Sequence, residues 1–124
     1  MKILVADDES GILEPLKEFL AKKGHAVDTC SNGREALEFL GREEYDIAFL
    51  DFSMPEVTGL ELVERLKKRG ARTKTVIFTA YPLMEDFFIH TMGADKYLSK
   101  PFRFEEVETI LHQVADENGK RQRT

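Results

Sequence analysis

This chain of 124 residues lacks several features that would assign it to a specialised class. It has one cysteine, Cys30, so no internal disulfide can form, and no spacing of cysteine and histidine is typical of a zinc site. Its longest apolar runs, such as residues 3–6 and 47–50, are far shorter than the ~20 residues of a membrane helix. The net charge is −5, which argues against the basic stripe that direct nucleic-acid binding needs. We therefore expect neither a membrane span nor nucleic acid as a direct partner.

The composition present is that of one folded domain. Apolar residues make up 42% and charged residues 33% of the chain, which is typical of a globular protein. The first apolar run is too short for a signal peptide, so we expect a cytoplasmic protein. The sequence turns polar from about Asp116, and we predict a domain over 1–118 followed by a polar tail or linker stub over 119–124.

Short apolar runs alternate with segments of helical periodicity. Four of the runs are continuously apolar, which is typical of strands buried on both faces. A fifth and more polar candidate, residues 25–30, suits the outermost position in a sheet. This alternation of strand and helix predicts an α/β fold with a parallel sheet. The four apolar runs are residues 3–6, 47–50, 76–78 and 97–98.

Local signals predict where five helices begin and end. Thr58 and Glu61 fit a capping box at the start of the third helix, and Pro82 suits the first turn of the fourth. Pro15 lies inside the first helical segment, where it removes a backbone donor, so we expect a late start or a slight kink there. Glycines are predicted to end the first three helices, namely Gly24, Gly41 and Gly70.

Polar side chains stand where the predicted strands end. The carboxyl ends of parallel strands meet at one end of a sheet, and ligands bind in the crevice there. We therefore expect five residues that are distant in sequence to form one site. They are Asp7, Asp8, Asp51, Thr79 and Lys100.

Three carboxylates in one pocket require a cation or a protonated acid, because two charges 4 Å apart repel by about 4 kcal/mol at an effective dielectric constant near 20. A divalent metal ion is the simplest answer. Oxygen ligands without histidine or cysteine favour a hard ion, and a few carboxylates with room for water and phosphate favour Mg²⁺ over Ca²⁺. Lys100 supplies a second positive charge and Thr79 a hydrogen-bond donor, so the site could hold a phosphoryl group. Asp51 then becomes a plausible nucleophile.

Four stretches of the sequence resemble the receiver domain of two-component response regulators. They are residues 3–9, 50–55 with Gly59 further on, 78–80 and 93–102. The resemblance runs from Lys2 to about Ala115 and suggests a single-domain regulator of the chemotaxis or sporulation phosphorelay type. It implies a flavodoxin-like, doubly wound sheet of five parallel strands in the order 2-1-3-4-5 with five helices, and a cis peptide at Lys100–Pro101.

The resemblance also implies a function for the site. Asp51 would accept a phosphoryl group from a sensor histidine kinase or a histidine phosphotransfer domain, and Thr79 and Lys100 would contact the phosphoryl oxygens. Such a protein is a signalling switch that catalyses only its own phosphorylation and dephosphorylation. The implied Mg²⁺ ligands are Asp7, Asp8, Asp51 and the main-chain carbonyl of Ser53.

Phosphorylation is expected to change the shape of one face. If Thr79 moves toward the new phosphoryl oxygens, it vacates space that Tyr97, which matches the family's switch aromatic, can fill. The face formed by the fourth predicted helix, the fifth strand and the fifth helix would then signal a downstream effector protein.

Other functions stay open at this point. The chain could be the N-terminal receiver excised from a multidomain transcriptional regulator. A phosphatase of the haloacid dehalogenase type is disfavoured, because it needs an acid two residues after the nucleophile, where Ser53 stands. A flavodoxin-like cofactor binder is also disfavoured, because Asp7, Asp8 and Glu9 would repel the phosphate of a flavin.

Overall fold

The computed structural model of the chain describes residues 1–80, 87 and 91–122, with the backbone alone for the last three. Strands and helices alternate in the described part, as the sequence predicted. The strands are β1 (Lys2–Ala6), β2 (Ala26–Cys30), β3 (Ile47–Asp51), β4 (Lys74–Thr79) and β5 (Lys96–Ser99). The helices are α1 (Ser10–Lys22), α2 (Gly33–Arg42), α3 (Gly59–Lys68) and α4 (Phe104–Gln122).

The strands form one parallel sheet in the order β2-β1-β3-β4-β5. This confirms the predicted topology and the outermost position of the polar strand β2. Ile3 lies beside Val27 on one side and Ile47 on the other, and Val76 lies beside Lys96. All five strands therefore end at the same end of the sheet, where ligands bind in folds of this kind.

The core consists of two apolar layers, one on each face of the sheet. Successive side chains of a strand point to opposite faces, so neighbouring residues of β1 and β3 enter different layers. One layer, packed against α2 and α3, contains Leu4, Ala6, Ala48, Leu50, Ile77, Leu62 and Leu66. The other, packed against α1 and α4, contains Ile3, Val5, Phe49, Phe78, Leu16, Leu20, Val107 and Leu111.

One predicted helix boundary was wrong, and one of two alternatives for the first helix is excluded. Helix α1 begins at Ser10 and contains Pro15, so the late start did not occur, and the slight kink stays a prediction. The donor missing at Pro15 affects the carbonyl of Gly11, an exposed residue that water can hydrate. Helix α2 passes through Gly41 and ends at Arg42, because the chain leaves it in an extended conformation at Glu43. The other expected helix ends hold, since Gly24 and Gly70 follow α1 and α3 with φ of 90° and 67°.

The fourth predicted helix lies between β4 and β5, and most of it, including Pro82, is outside the described residues. Of its apolar residues, Met92 is buried and Phe87 packs against the core. Helix α4 continues to Gln122, beyond residue 118, where we placed the end of the domain. In the described part of the chain, no helix is long and apolar enough to cross a membrane.

Candidate functional site

The acidic residue Asp7 is fixed immediately after β1. Its amide donates a hydrogen bond to the carbonyl of Cys30 at the end of β2, at 3.1 Å. Its carboxylate oxygen Oδ1 accepts a hydrogen bond from the amide of Glu9, at 2.9 Å. The residue is fully buried, so the chain holds a carboxylate at the carboxyl end of the sheet with little freedom to move.

Asp51 is the last residue of β3 and is 5% exposed. Its Oδ1 accepts a hydrogen bond from the amide of Ser53 at 3.2 Å. The loop that follows closes tightly on the strand, since a Cβ at Gly59 would lie 2.7 Å from the carbonyl oxygen of Asp51. The first residue of α3 must therefore be small for the loop to keep this path.

Lys100 connects the acids from the other side of the site. Its Nζ lies 2.9 Å from Asp7 Oδ2, 3.0 Å from Glu9 Oε1 and 3.3 Å from Asp51 Oδ2. Its backbone amide donates to the carbonyl of Thr79 at 2.7 Å. The peptide bond from Lys100 to Pro101 is cis, as the resemblance implied. One ammonium group thus contacts three carboxylates that come from two separate segments of the chain.

The remaining predicted residues lie at the same end of the sheet or on β5. Thr79 is the last residue of β4, is 1% exposed and pairs in register with Ser99. Asp8 is exposed beside Asp7. Tyr97 stands in β5 opposite Ile77 and is half-buried against the apolar layer that packs on α2 and α3.

The electrostatics of the site disfavour an ionised Asp51 in the absence of a further cation. Burial, and next the negative charge of Asp7, raise the pKa of Asp51 from 3.8 to about 6, although Lys100 acts in the opposite direction. Burial lowers the pKa of Lys100, but its contacts with Asp7 and Glu9 outweigh this and raise it above its usual value. Lys100 therefore stays charged, and it compensates the carboxylates only in part.

The same carboxylates form a group suited to a divalent metal ion. One oxygen from each of four acids lies within 4.8 Å of the others: Asp7, Asp8, Glu9 and Asp51. Asp7 Oδ2 is close enough to Lys100 for an ion pair, yet it is buried without a hydrogen-bond partner among the described residues. A donor set made only of oxygens, one of them with an unmet hydrogen-bonding capacity, fits a hard cation such as Mg²⁺.

Sequence reasoning missed the part that Glu9 plays. Glu9 occupies the N-cap position of α1, but its side chain makes no capping hydrogen bond. It contacts Lys100 instead, across 91 positions of the sequence. The only sequence signal was its place as the third acid in a row after Asp7 and Asp8. For Ser53, the structure gives a contact of the amide with Asp51, and the proposed role of its carbonyl stays a prediction.

Comparisons with known proteins agree with this architecture. A family model described as the response regulator receiver domain matches residues 3–112. The transcriptional regulatory protein TctD of Salmonella typhimurium is 38% identical over 115 residues, which are 92% of this chain and 51% of TctD. The chain thus spans about half the length of the curated relatives it matches.

Two solved structures are similar over nearly their whole length. The receiver domain of the Francisella response regulator 1452 has a TM-score of 0.86 at 29% identity, covering 94% of this chain and 98% of that one. The response regulator TrrA of Thermotoga maritima, in complex with Mg²⁺ and BeF, has a TM-score of 0.81 at 36% identity, covering 91% of this chain and 97% of that one.

Proposed function

Since this chain belongs to the response regulator receiver domain family of two-component systems, we propose that it accepts a phosphoryl group on Asp51 from a histidine kinase or a histidine phosphotransfer domain. The observation that carries this proposal is the position of the Asp51 carboxylate. It lies at the carboxyl end of the sheet, in contact with Lys100 and within the four-acid group. A single carboxylate held between a fixed ammonium group and a cation-binding group is suited to attack a phosphorus atom.

The transfer would be a displacement at phosphorus. An oxygen of the Asp51 carboxylate forms a bond to phosphorus as the bond from phosphorus to the donor imidazole nitrogen breaks. That nitrogen keeps the electron pair of the broken bond. The donor histidine leaves as neutral imidazole, with one proton on its ring that it already carried or takes up from water. Lys100 holds positive charge beside the transferred group, and the Thr79 hydroxyl would donate a hydrogen bond to one of its oxygens.

The residues that would hold Mg²⁺ are Asp7, Asp8, Asp51 and the carbonyl of Ser53. Bound there, Mg²⁺ would neutralise negative charge on the phosphoryl oxygens. The buried Asp7 Oδ2, which has an ion pair with Lys100 but no hydrogen bond among the described residues, supports a cation at this place, and so does the complex of the related TrrA with Mg²⁺ and BeF. Glu9 adds a fourth carboxylate to the group. Because its side chain is exposed, it could lose its contact with Lys100 and be hydrated by water instead when the metal binds.

Phosphorylation would then be read on a neighbouring face. Thr79 and Tyr97 lie at the end of β4 and within β5, and a shift of Thr79 toward the phosphoryl group would let the ring of Tyr97 turn inward. The face that changes consists of β5, α4 and the segment before β5, and it would bind a downstream effector protein. Two states are compared here, one with the Tyr97 ring turned inward and one with it turned outward. Phosphorylation would raise the population of the inward state only by the difference in the interaction free energy of the phosphoryl group with the two states.

Phosphotransfer from a panel of autophosphorylated histidine kinases tests the chemistry. Labelled phosphate should appear on the wild-type chain with MgCl₂ and disappear with EDTA or with Asp51→Asn. The matched control is Asp116→Asn, which removes an exposed acid of α4 that forms no ion pair with a described residue. Label that survives Asp51→Asn, or a phosphopeptide that maps elsewhere by mass spectrometry, would refute the assignment.

Amide chemical shifts test the switch separately. Adding beryllofluoride with Mg²⁺ should move the amide signals of β5 and α4 in the wild type and in a Tyr97→Phe variant, and a Tyr97→Ala variant should lose the shifts of α4. If the signals of β5 and α4 do not move in the wild type, the proposed switch is wrong while the phosphotransfer result stands.

A second possibility is that the chain acts as the receiver part of a longer transcriptional regulator. Relatives such as TctD carry that name and are about twice as long. In that case residues 1–118 would form the receiver domain and 119–124 would lead into the next one. Sequencing the reading frame past Thr124 decides between this and a regulator that acts through protein contacts alone.

A further inference from the structure

One short segment carries an unusual concentration of positive charge. The chain as a whole has a net charge of −5, yet no acidic residue occurs between Glu64 and Glu85. Six cationic residues fall within the first half of that interval. They are Arg65, Lys67, Lys68, Arg69, Arg72 and Lys74.

The fold places this segment at the amino end of the strands, opposite Asp51. Arg65, Lys67 and Lys68 lie in the last turn of α3, and Arg69 is its C-cap. The carboxyl end of a helix favours cations, and the effect is confined to the last turn. That explains the cations of the last turn, but it does not explain Arg72, which lies in the turn between α3 and β4.

Five of these six cations are not neutralised by the described part of the chain. Lys74 contacts Asp95 and Glu117, and Lys2, also at the amino end of the strands, pairs with Glu43. By contrast, no described carboxylate lies within ion-pair distance of the five other cations of the segment. They are Arg65, Lys67, Lys68, Arg69 and Arg72, and we call them, together with Arg42, the basic end.

The basic end borders a cavity with a volume of about 950 Å³. Arg42 enters its lining from the last turn of α2, and Arg69 and Arg72 enter from the turn after α3. Glu43, Glu44 and Asp46, from the segment between α2 and β3, line the same cavity, and Glu43 pairs with Lys2. The lining therefore combines three guanidinium groups with three carboxylates, one of which already has a cationic partner.

We propose that the basic end and its cavity bind an acidic segment of a polypeptide partner. The guanidinium groups of the arginines can each donate two hydrogen bonds to a carboxylate of that segment. The backbone amides of the segment can in turn donate to the carboxylates of Glu44 and Asp46. A nucleic acid carries a phosphate on every residue and no N–H group in its backbone, so its backbone would leave Glu44 and Asp46 without a donor, whereas a peptide in which acidic and neutral residues alternate offers one. The mixed lining thus favours a peptide over a nucleic acid.

The proposed surface is independent of phosphotransfer. It lies at the opposite end of the sheet from Asp51, so a partner bound there leaves the acceptor carboxylate open to a phosphodonor. Binding at the basic end would therefore allow one chain to be held by a partner while it is phosphorylated. For the same reason, Asp51→Asn should leave binding at the basic end unchanged.

The test is an amide-shift titration of the isotopically labelled chain with a capped peptide of alternating glutamate and serine, about ten residues long. Saturable shifts should concentrate in residues 42–46 and 65–74, and the affinity should fall as salt is added. The double variant Arg69→Glu/Arg72→Glu should weaken binding by about tenfold or more, as expected for reversing two charge pairs. The matched control Lys17→Glu/Arg34→Glu makes the same charge change at two exposed cations that also lack an ion pair with a described carboxylate, and it should stay within about twofold of the wild type.

Thermal unfolding first establishes that both double variants are folded. The proposal is overturned if the peptide causes no saturable shifts, or if the control weakens binding as much as the basic-end variant does. It is also overturned if a single-stranded oligonucleotide or inorganic tripolyphosphate binds residues 65–74 more tightly than the peptide, because the basic end would then be a phosphate site.

Discussion

Replacing Asp51 with asparagine should stabilise the fold when no divalent cation is present. The carboxylate of Asp51 is nearly buried, and one of its oxygens lies within 4.8 Å of an oxygen of each of Asp7, Asp8 and Glu9. Burial and the charge of Asp7 raise its pKa to about 6. At neutral pH the folded chain therefore holds Asp51 ionised at a cost that unfolding relieves.

The size of the effect follows from that pKa. A rise from 3.8 to about 6 corresponds to about 3 kcal/mol, at about 1.4 kcal/mol for each tenfold change in the ionisation constant. That value already includes the favourable contact with Lys100 at 3.3 Å. Asparagine keeps the shape of the side chain, but its NH₂ group is a donor in a nearly buried position, which costs about 1–2 kcal/mol, so we expect a net gain of about 1–2 kcal/mol.

Urea unfolding followed by circular dichroism measures this difference. In EDTA the Asp51→Asn variant should have the higher free energy of unfolding, and adding MgCl₂ should raise that of the wild type more than that of the variant. Asp116→Asn, which alters an exposed acid, should change the value by less than about 0.5 kcal/mol in either buffer. An Asp51→Asn variant that is less stable than the wild type in EDTA would refute the argument from repulsion.

Three other predictions concern groups away from the site. Burial raises the pKa of the Cys30 thiol to about 12. Iodoacetamide near neutral pH should therefore alkylate this thiol at least about a hundredfold more slowly in the folded chain than in urea. Mass spectrometry follows the reaction, and equal rates would contradict the prediction. Burial raises the pKa of Glu117, but two lysine partners outweigh it and lower the pKa below 4.5. Glu117→Gln should therefore cost about 0.5 kcal/mol of unfolding free energy at neutral pH, and a difference that persists once the pH has fallen through the lowered pKa would count against this ion pair as its cause. A Cβ at Gly33 would lie 1.6 Å from the carbonyl oxygen of Val57, so Gly33→Ala should cost about 2 kcal/mol or more. Gly41→Ala, with no atom within 4 Å of the new Cβ, should instead raise the melting temperature by adding about 0.5–1 kcal/mol; the same sign for both glycine variants would show that close approach is not the cause.

The fold could be predicted because its signals are local and repeated. Each buried strand is a continuous apolar run, since both faces of the parallel sheet are covered by helices. The sequence signals failed where a residue is compatible with two local conformations. Gly41 could end a helix or continue one, and the choice depends on the extended backbone of Glu43. Pro15 is tolerated inside α1 because the carbonyl it leaves unpaired belongs to an exposed residue.

The site was predictable to the level of the backbone and no further. Asp7, Asp51 and Lys100 follow strand ends, and parallel strands bring such positions together whatever their side chains do. The contact between Lys100 and Glu9 depends on how two long side chains are oriented, and no spacing in the sequence encodes that. The same holds for the orientation that leaves Asp7 Oδ2 without a hydrogen bond.

The arrangement of helices explains why the acids and the uncompensated cations lie at opposite ends of the molecule. Each helix that follows a strand runs back from the carboxyl end of the sheet to its amino end, so helix N-termini gather near Asp51 and helix C-termini gather at the basic end. Acids occupy the first turns of α2, α3 and α4, and cations occupy the last turns of α1, α2 and α3, as the helix dipole favours. This separation keeps negative potential where a metal cation must be attracted. It also leaves positive charge at the end that a phosphodonor does not occupy. The two ends can therefore bind partners of opposite charge without competing for the same surface.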